Sequence, residues 1–245
     1  AGVFVHGFDI PLDDTEGFAG AAKAATKVLA DIYIDLVVVK TNVRGLWDIN
    51  WEDYHAAAIA SVLCGLKQYA GIGLIGSGDT YDALISPWGS HPITDPLLSS
   101  GDFRVIHDGA GFSRSEKLQA LAEWSLGIQN LRVCWAGDKH DSNCGRCEKC
   151  VRTRMNLLVA GIDNPQCFSD PIDSSLFKNV ILKSEIVRID WNIIRREMLK
   201  TGRGLEWLPH IEKALKRQPP PNFSRLFPFG SRRRTWVKTM VMRKK

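Results

Sequence analysis

The sequence predicts an α/β fold, an open parallel sheet with helices on both faces. Three observations lead there. Short runs rich in β-branched residues alternate with helical patterns at intervals of roughly 30 residues, the spacing of βαβ units. Runs such as IDLVVVK at Ile34–Lys40 are apolar on consecutive positions, as strands buried on both faces are. The segments after these runs are rich in Gly, Ser and Asp, which suits loops at the carboxyl ends of strands, where ligands bind in such sheets.

Taken in order, Gly2–Phe8 reads as the first strand, and the Asp13–Asp14–Thr15 cluster caps an Ala-rich helix over 17–32. Ile34–Lys40 is the second strand. A helix over 53–69 follows, with Ala56, Ala57, Ala58 and Ala60 on a close-packing face. Gly71–Ser77 is the third strand and Phe103–His107 the fourth, with a long loop between them up to Ser100. Ser113 and Glu116 form a capping box that opens a helix over 113–126. Leu131–Cys134 reads as a fifth short strand, and Cys147–Ala160 as a helix. Beyond Gly161 the alternation stops. Residues 166–183 are irregular, 186–200 and 204–217 are amphipathic helices, and Pro219–Pro221 is a stiff break. The expected organisation is an α/β domain over 1–130, a cysteine knuckle with its helix over 131–162, a helical extension over 163–218 and a basic tail over 219–245.

Cys134, Cys144, Cys147 and Cys150 are spaced C-x9-C-x2-C-x2-C. Four thiolates satisfy the tetrahedral, soft-ligand preference of zinc. The two-residue gaps let consecutive sulfurs turn onto one ion, with Gly145 easing the turn. A pair of disulfides, loose cytosolic thiols and an iron–sulfur cluster are the alternatives. Cys64 and Cys167 read as buried or idle thiols.

Six cysteines with four in one cluster fit a reducing cytosol better than a secreted scaffold, and the expected location is cytoplasmic. No apolar run reaches the roughly 18–20 residues of a membrane span. The net charge is +5. Arg232, Arg233, Arg234, Lys238, Arg243, Lys244 and Lys245 supply it, so the body is close to neutral and does not read as a general nucleic-acid binder. The tail, with Trp236, Val237, Met240 and Val241, suits RNA or a membrane surface, or simply solvent.

Several residues carry chemistry by type and place. Gly76–Ser77–Gly78–Asp79 leaves a strand, and glycine permits close approach of backbone to a ligand, although a plain turn has the same composition. Trp88, Ser90, His91 and Asp95 lie in the long loop. A tryptophan stacks on planar ligands and a histidine shuttles protons, whereas a loop held by its own packing needs neither. Lys117, one turn into a capped helix, is a point charge suited to phosphate oxygens.

The order of parallel α/β elements, the Ser113–Arg114–Ser115–Glu116–Lys117 helix start, and a strand running into C…CGxCxxC with Arg152 after it resembles the 7-cyano-7-deazaguanine synthase group of the PP-loop ATP pyrophosphatases. The resemblance covers about residues 1–162. It implies an adenine-nucleotide alpha-hydrolase-like fold with a structural zinc on the four cysteines. It also implies an activity in which ATP, with magnesium, adenylates a carboxylate or carbonyl oxygen. Pyrophosphate leaves, and ammonia or another nucleophile displaces AMP. Under it Lys117 and Arg114 lie near the phosphates, and Asp9 and Asn42 at strand ends meet the nucleotide together with Gly76 and Ser77. Trp88, Ser90, His91 and Asp95 face the substrate, with His91 and Lys117 catalytic. Arg152 braces the knuckle.

Two departures qualify the expectation. The group's Ser-Gly-Gly-x-Asp-Ser phosphate loop does not occur in this chain. The expected explanation is that it lies upstream of Ala1. The group's Tyr-Pro-Asp segment is replaced by Ser86–Pro92, SPWGSHP, so the acceptor is expected not to be the deazaguanine. The expected partners are ATP, a small acid or carbonyl compound and a second copy of the chain as homodimer. The rival reading is an inactive zinc-binding relative that engages RNA or a protein through knuckle and tail.

Overall fold

The computed structural model describes residues 1–84, 88–217, 231–234 and 236. The Pro-rich break and most of the basic tail lie outside these residues. The chain divides into two compact units that interleave in sequence. One holds residues 1–41, 78–86 and 109–219, the other 42–77, 87–108 and 220–245.

In the first unit, β1 (Gly2–His6) and β2 (Leu36–Lys40) pair in parallel, with Gly2 opposite Leu36 and His6 opposite Lys40. α1 (Thr15–Asp31) is their crossover and packs on both strands. It starts where Asp14 Oδ1 accepts the Gly17 N–H at 2.9 Å. Gly7 must be glycine. Its φ is +105°, and a Cβ there would stand 1.9 Å from the Thr41 carbonyl oxygen. His6 is buried, stacks on Phe18 with ring centroids 4.2 Å apart and bonds the Pro11 carbonyl at 2.8 Å.

The rest of this unit is helical: α3 (Arg114–Leu121), α4 (Ser125–Gln129), α5 (Glu148–Val159), α6 (Glu185–Thr201) and α7 (Leu208–Lys216). The Ser113–Glu116 capping box forms at α3 as expected. The single helix expected over 113–126 is instead two. Trp124 takes a non-helical conformation, lies against Gly127, where a Cβ would meet its ring at 2.5 Å, and donates Nε1–H to Asp31. α6 ends at Gly202 in the left-handed region, φ 71°. The largest core is built here. Val151, Met155, Leu158 and Val159 of α5 meet Trp191, Ile194 and Met198 of α6 and Ile211 and Ala214 of α7.

In the second unit, β3 (Ile72–Gly76) and β4 (Arg104–Asp108) form a second parallel pair, Ile72 opposite Arg104. α2 (Trp51–Gly65) covers it through Ala56 and Ala60, packed on Ile75, Phe103 and Val105. Gly73 makes that approach possible, since a Cβ would meet the Phe103 ring at 2.8 Å.

The fold is mixed α/β with parallel strands, but the continuous five-stranded sheet is not what the described residues form. Their strands make two two-stranded sheets. Residues expected to be buried on both faces stay open on one, with Val38, Ile72 and Leu74 at least half exposed. Residues 131–134, expected as a fifth strand, have no regular secondary structure and join no ladder. No helix among the described residues is long and apolar enough to cross a membrane.

Candidate metal centre

Cys134 ends the irregular stretch after α4. Cys147 sits at the N-cap of α5 in extended conformation, and Cys150 lies one turn inside that helix. Cys144 is brought in by a turn at Gly145, φ 71°. The four sulfurs all lie within 4.8 Å of one another. Cys134 Sγ is 3.9 Å from Cys147 Sγ, and Cys144 Sγ is 3.8 Å from Cys150 Sγ. A tetrahedron with metal–sulfur bonds of about 2.3 Å has edges of about 3.8 Å, so the donor set fits one ion such as zinc. All six cysteines are free thiols rather than disulfides.

The cage is braced from four sides. Asn143 Oδ1 accepts the N–H groups of Val133 (2.9 Å) and Cys134 (3.1 Å), and its Nδ2 donates to the carbonyls of Leu131 (2.7 Å) and Cys167 (3.0 Å). The Cys147 N–H points at Cys144 Sγ, 3.4 Å away. Arg154, almost fully buried, lies over the Phe168 ring and donates to the Gly145 carbonyl. Arg152 reaches Glu148 Oε1 at 3.1 Å and also Asp190 of α6, while Trp191 Nε1 donates to Glu148 at 2.8 Å. His140 is no ligand. Its Nδ1 meets Asp14 Oδ2 at 2.6 Å, which ties the cysteine loop to the start of α1.

The thiols share charge unevenly. The hydrogen bond from the Cys150 thiol draws Cys147 down to about 5, and the same contact pushes Cys150 up. Burial raises Cys144, and it lifts Cys167, outside the cage, to about 11. A cation bound among the sulfurs would favour the thiolate form at Cys144 and Cys150.

The other expected site residues fall into two groups by unit. Asp9, half exposed, pairs with Arg132 at 3.6 Å. Arg114 donates Nε–H to Asp190 at 3.2 Å, and Lys117 lies half-buried one turn along α3. These and the cysteines belong to the first unit.

Asn42, Gly76, Ser77, Trp88, Ser90, His91 and Asp95 belong to the second. Asn42 is exposed and its carbonyl accepts the Gly45 N–H. Ser77 N–H bonds the Asp108 carbonyl just beyond Gly76. The 88–95 loop docks on the start of α2. Gly89 exchanges backbone hydrogen bonds with Glu52 and Ala56, and Trp88 meets His55 edge-on at 5.4 Å. Asp95 is fully buried and accepts from Ser90 Oγ (2.6 Å) and the His91 N–H (2.9 Å), and faces His107 Nδ1 at 2.7 Å. His107 is the partner that sequence reasoning did not attach to this loop. The His91 ring accepts the Ile93 N–H at 3.1 Å.

A stretch of 62 residues, 25% of this chain, is 37% identical to the 7-cyano-7-deazaguanine synthase of Methanothermobacter thermautotrophicus. The stretch covers 27% of that protein's length. No family model matches the chain, and no solved structure matches it. The similarity supports a related family and nothing finer.

Proposed function

We propose that this chain belongs to an ATP-dependent ligase of the adenine-nucleotide alpha-hydrolase type, with a structural zinc on Cys134, Cys144, Cys147 and Cys150. The observation that carries the reading is a four-sulfur cage of tetrahedral edge in a chain that shares 37% identity over 62 residues with a synthase. The enzyme adenylates a carboxylate or carbonyl oxygen and expels pyrophosphate, and an amine-type nucleophile then displaces AMP. Magnesium neutralises the phosphates.

On this reading Asp9, Asn42, Gly76 and Ser77 are nucleotide-side residues at strand ends. Lys117 is the phosphate-side cation, with Arg114 beside it in sequence. Trp88, 38% exposed, and His91 are the acceptor-side members of the 88–95 loop, while Ser90 and Asp95 hold that loop to His107. The departure at Ser86–Pro92 favours an acceptor other than the deazaguanine. A zinc held there would be structural, since four thiolates, Cys134 and Cys150 buried and Cys144 and Cys147 partly buried, would supply a full tetrahedral ligand set.

Incubation of the full-length protein with ATP, magnesium and a panel of carboxylates tests this. Pyrophosphate release that depends on one acid is the expected result. No release with any acid, and no rise in melting temperature at saturating ATP and magnesium, overturns it.

A further inference from the structure

Charge is divided unevenly between the two units. The first is neutral, with 21 basic and 21 acidic residues over 1–41, 78–86 and 109–219. The body of the second, 42–77 and 87–108, has three basic residues against six acidic ones. Its last stretch, 220–245, has eight basic residues and no acidic one. The acidic body and the basic segment thus share one compact unit. Yet the segment follows directly on the first unit, whose last helix α7 ends at Lys216.

The acids of that body are not interchangeable. Asp95 is buried on His107, and Asp102 pairs with Lys67. Asp48, Glu52 and Asp53 cluster at the start of α2, all three exposed. Arg44 is the one basic residue between 42 and 66, and its guanidinium lies over the Trp51 ring at 4.9 Å. The positive end of α2 offsets roughly half a charge more, which leaves the cluster negative. Leu46, Trp47 and Ile49 beside it are each at least half exposed, and Trp47 meets Tyr54 edge-on at 6.5 Å. An apolar, aromatic surface rimmed by carboxylates suits a segment that is basic and apolar together.

The end of this chain is such a segment. Residues 232–234 and 236 are helical. Val237, Met240 and Val241 follow at i, i+3, i+4, the spacing of one helical face, among Lys238, Arg243, Lys244 and Lys245. Arg232 and Arg233 are exposed, but Arg234 is half-buried and its Nε is shut off from solvent. A basic arm left to solvent keeps its guanidiniums in water.

We propose that residues 232–245 dock on the face at the start of α2 in the same chain. The basic side chains meet Asp48, Glu52 and Asp53, and Val237, Met240 and Val241 lie against Leu46, Trp47 and Ile49. The tail is then an internal strap rather than an arm held out for RNA or a membrane. Docking of this kind goes beyond the ligase reading and does not depend on it, and it is measured without nucleotide.

The test is zero-length carbodiimide cross-linking of the full chain at low salt, followed by peptide mapping. The reagent joins an amine to a carboxylate in contact with it. Lys238, Lys244 or Lys245 should be found joined to Asp48, Glu52 or Asp53 within single chains. Raising the salt to about 0.5 M should lower the yield several-fold, because exposed charges are then screened. Trypsin should cut after Lys238 at least about five-fold faster in the triple variant Asp48→Asn, Glu52→Gln, Asp53→Asn than in wild type at low salt. Melting curves check the fold of the variant. If it does not fold, the double variant Arg232→Gln, Arg243→Gln takes its place with the same expectation. No cross-link from the tail to 48–53, cross-links between two chains only, or equal cutting of wild type and folded variant overturns the proposal. So does a wild-type tail cut as fast as the variant's until a single-stranded RNA oligomer protects it, which would assign the tail to RNA.

Discussion

Asn143 stands in for a neighbouring strand at Cys134: its Oδ1 accepts the Cys134 N–H at 3.1 Å. The same oxygen takes the Val133 N–H, and the amide nitrogen serves the carbonyls of Leu131 and Cys167. One side chain thus satisfies four backbone groups, which lets an unladdered segment deliver a ligand into a core. Asn143→Ala should cost about 2–4 kcal/mol, since it strands several partly buried backbone groups at about 1–3 kcal/mol each with partial recovery by water. Chemical denaturation measures this. Asn143→Asp keeps the acceptor and loses the donor, so it should fall between wild type and Ala.

Arg152 links the knuckle helix to α6 through Glu148 and Asp190, with its side chain 9% exposed and that of Asp190 11%. Arg152→Met would leave Glu148 without its cation and Asp190 with Arg114 alone, so it should destabilise by up to about 3–5 kcal/mol, the cost of breaking a buried pair. Lys67 and Asp102 form a comparison on the surface, 2.8 Å apart but 49% and 65% exposed. Lys67→Ala should leave the melting temperature within error of wild type.

Gly7 is the tightest backbone position, with φ +105° and the Thr41 carbonyl where a Cβ would go. Gly7→Ala should destabilise by at least about 1–3 kcal/mol, the cost of a residue held in a disfavoured conformation, because the neighbour that must yield is backbone. Gly65→Ala, where a Cβ meets nothing within 4 Å, should be neutral or stabilising.

Acid should loosen the tie between α1 and the cysteine loop. The Gly17 N–H and then His140 hold the Asp14 carboxyl below its ordinary 3.8. A group lowered in the folded state contributes stability that is fully present above its unfolded value and lost as pH falls through the folded one. Wild type should therefore lose stability below about pH 4. Asp14→Asn should show a shallower acid limb in melting temperature against pH, with a lower plateau at neutral pH.

What was legible in the sequence was local. The cysteine spacing, the Ser113–Glu116 box and the amphipathic stripe of α6 each specify themselves within a turn or two, and each formed. Strand existence was legible too, because β1 to β4 lie within a residue or two of the runs that predicted them. Pairing was not. Nothing in Val38 or Leu74 announces that its outer face stays open, because that depends on which element arrives from far along the chain. Asp95 and His107 were separately visible, yet their contact joins a loop to a strand 12 residues on. The Arg114–Asp190 pair spans 76 residues and had no sequence signature.

The most direct test of the metal centre is elemental analysis joined to X-ray absorption at the zinc edge on the purified protein. One zinc per chain, coordinated by four sulfurs at about 2.3 Å, is the predicted result, and Cys147→Ser should lose the ion and lower the melting temperature. A metal-free protein with full stability, or a zinc shell containing nitrogen or oxygen in place of a sulfur, would contradict it.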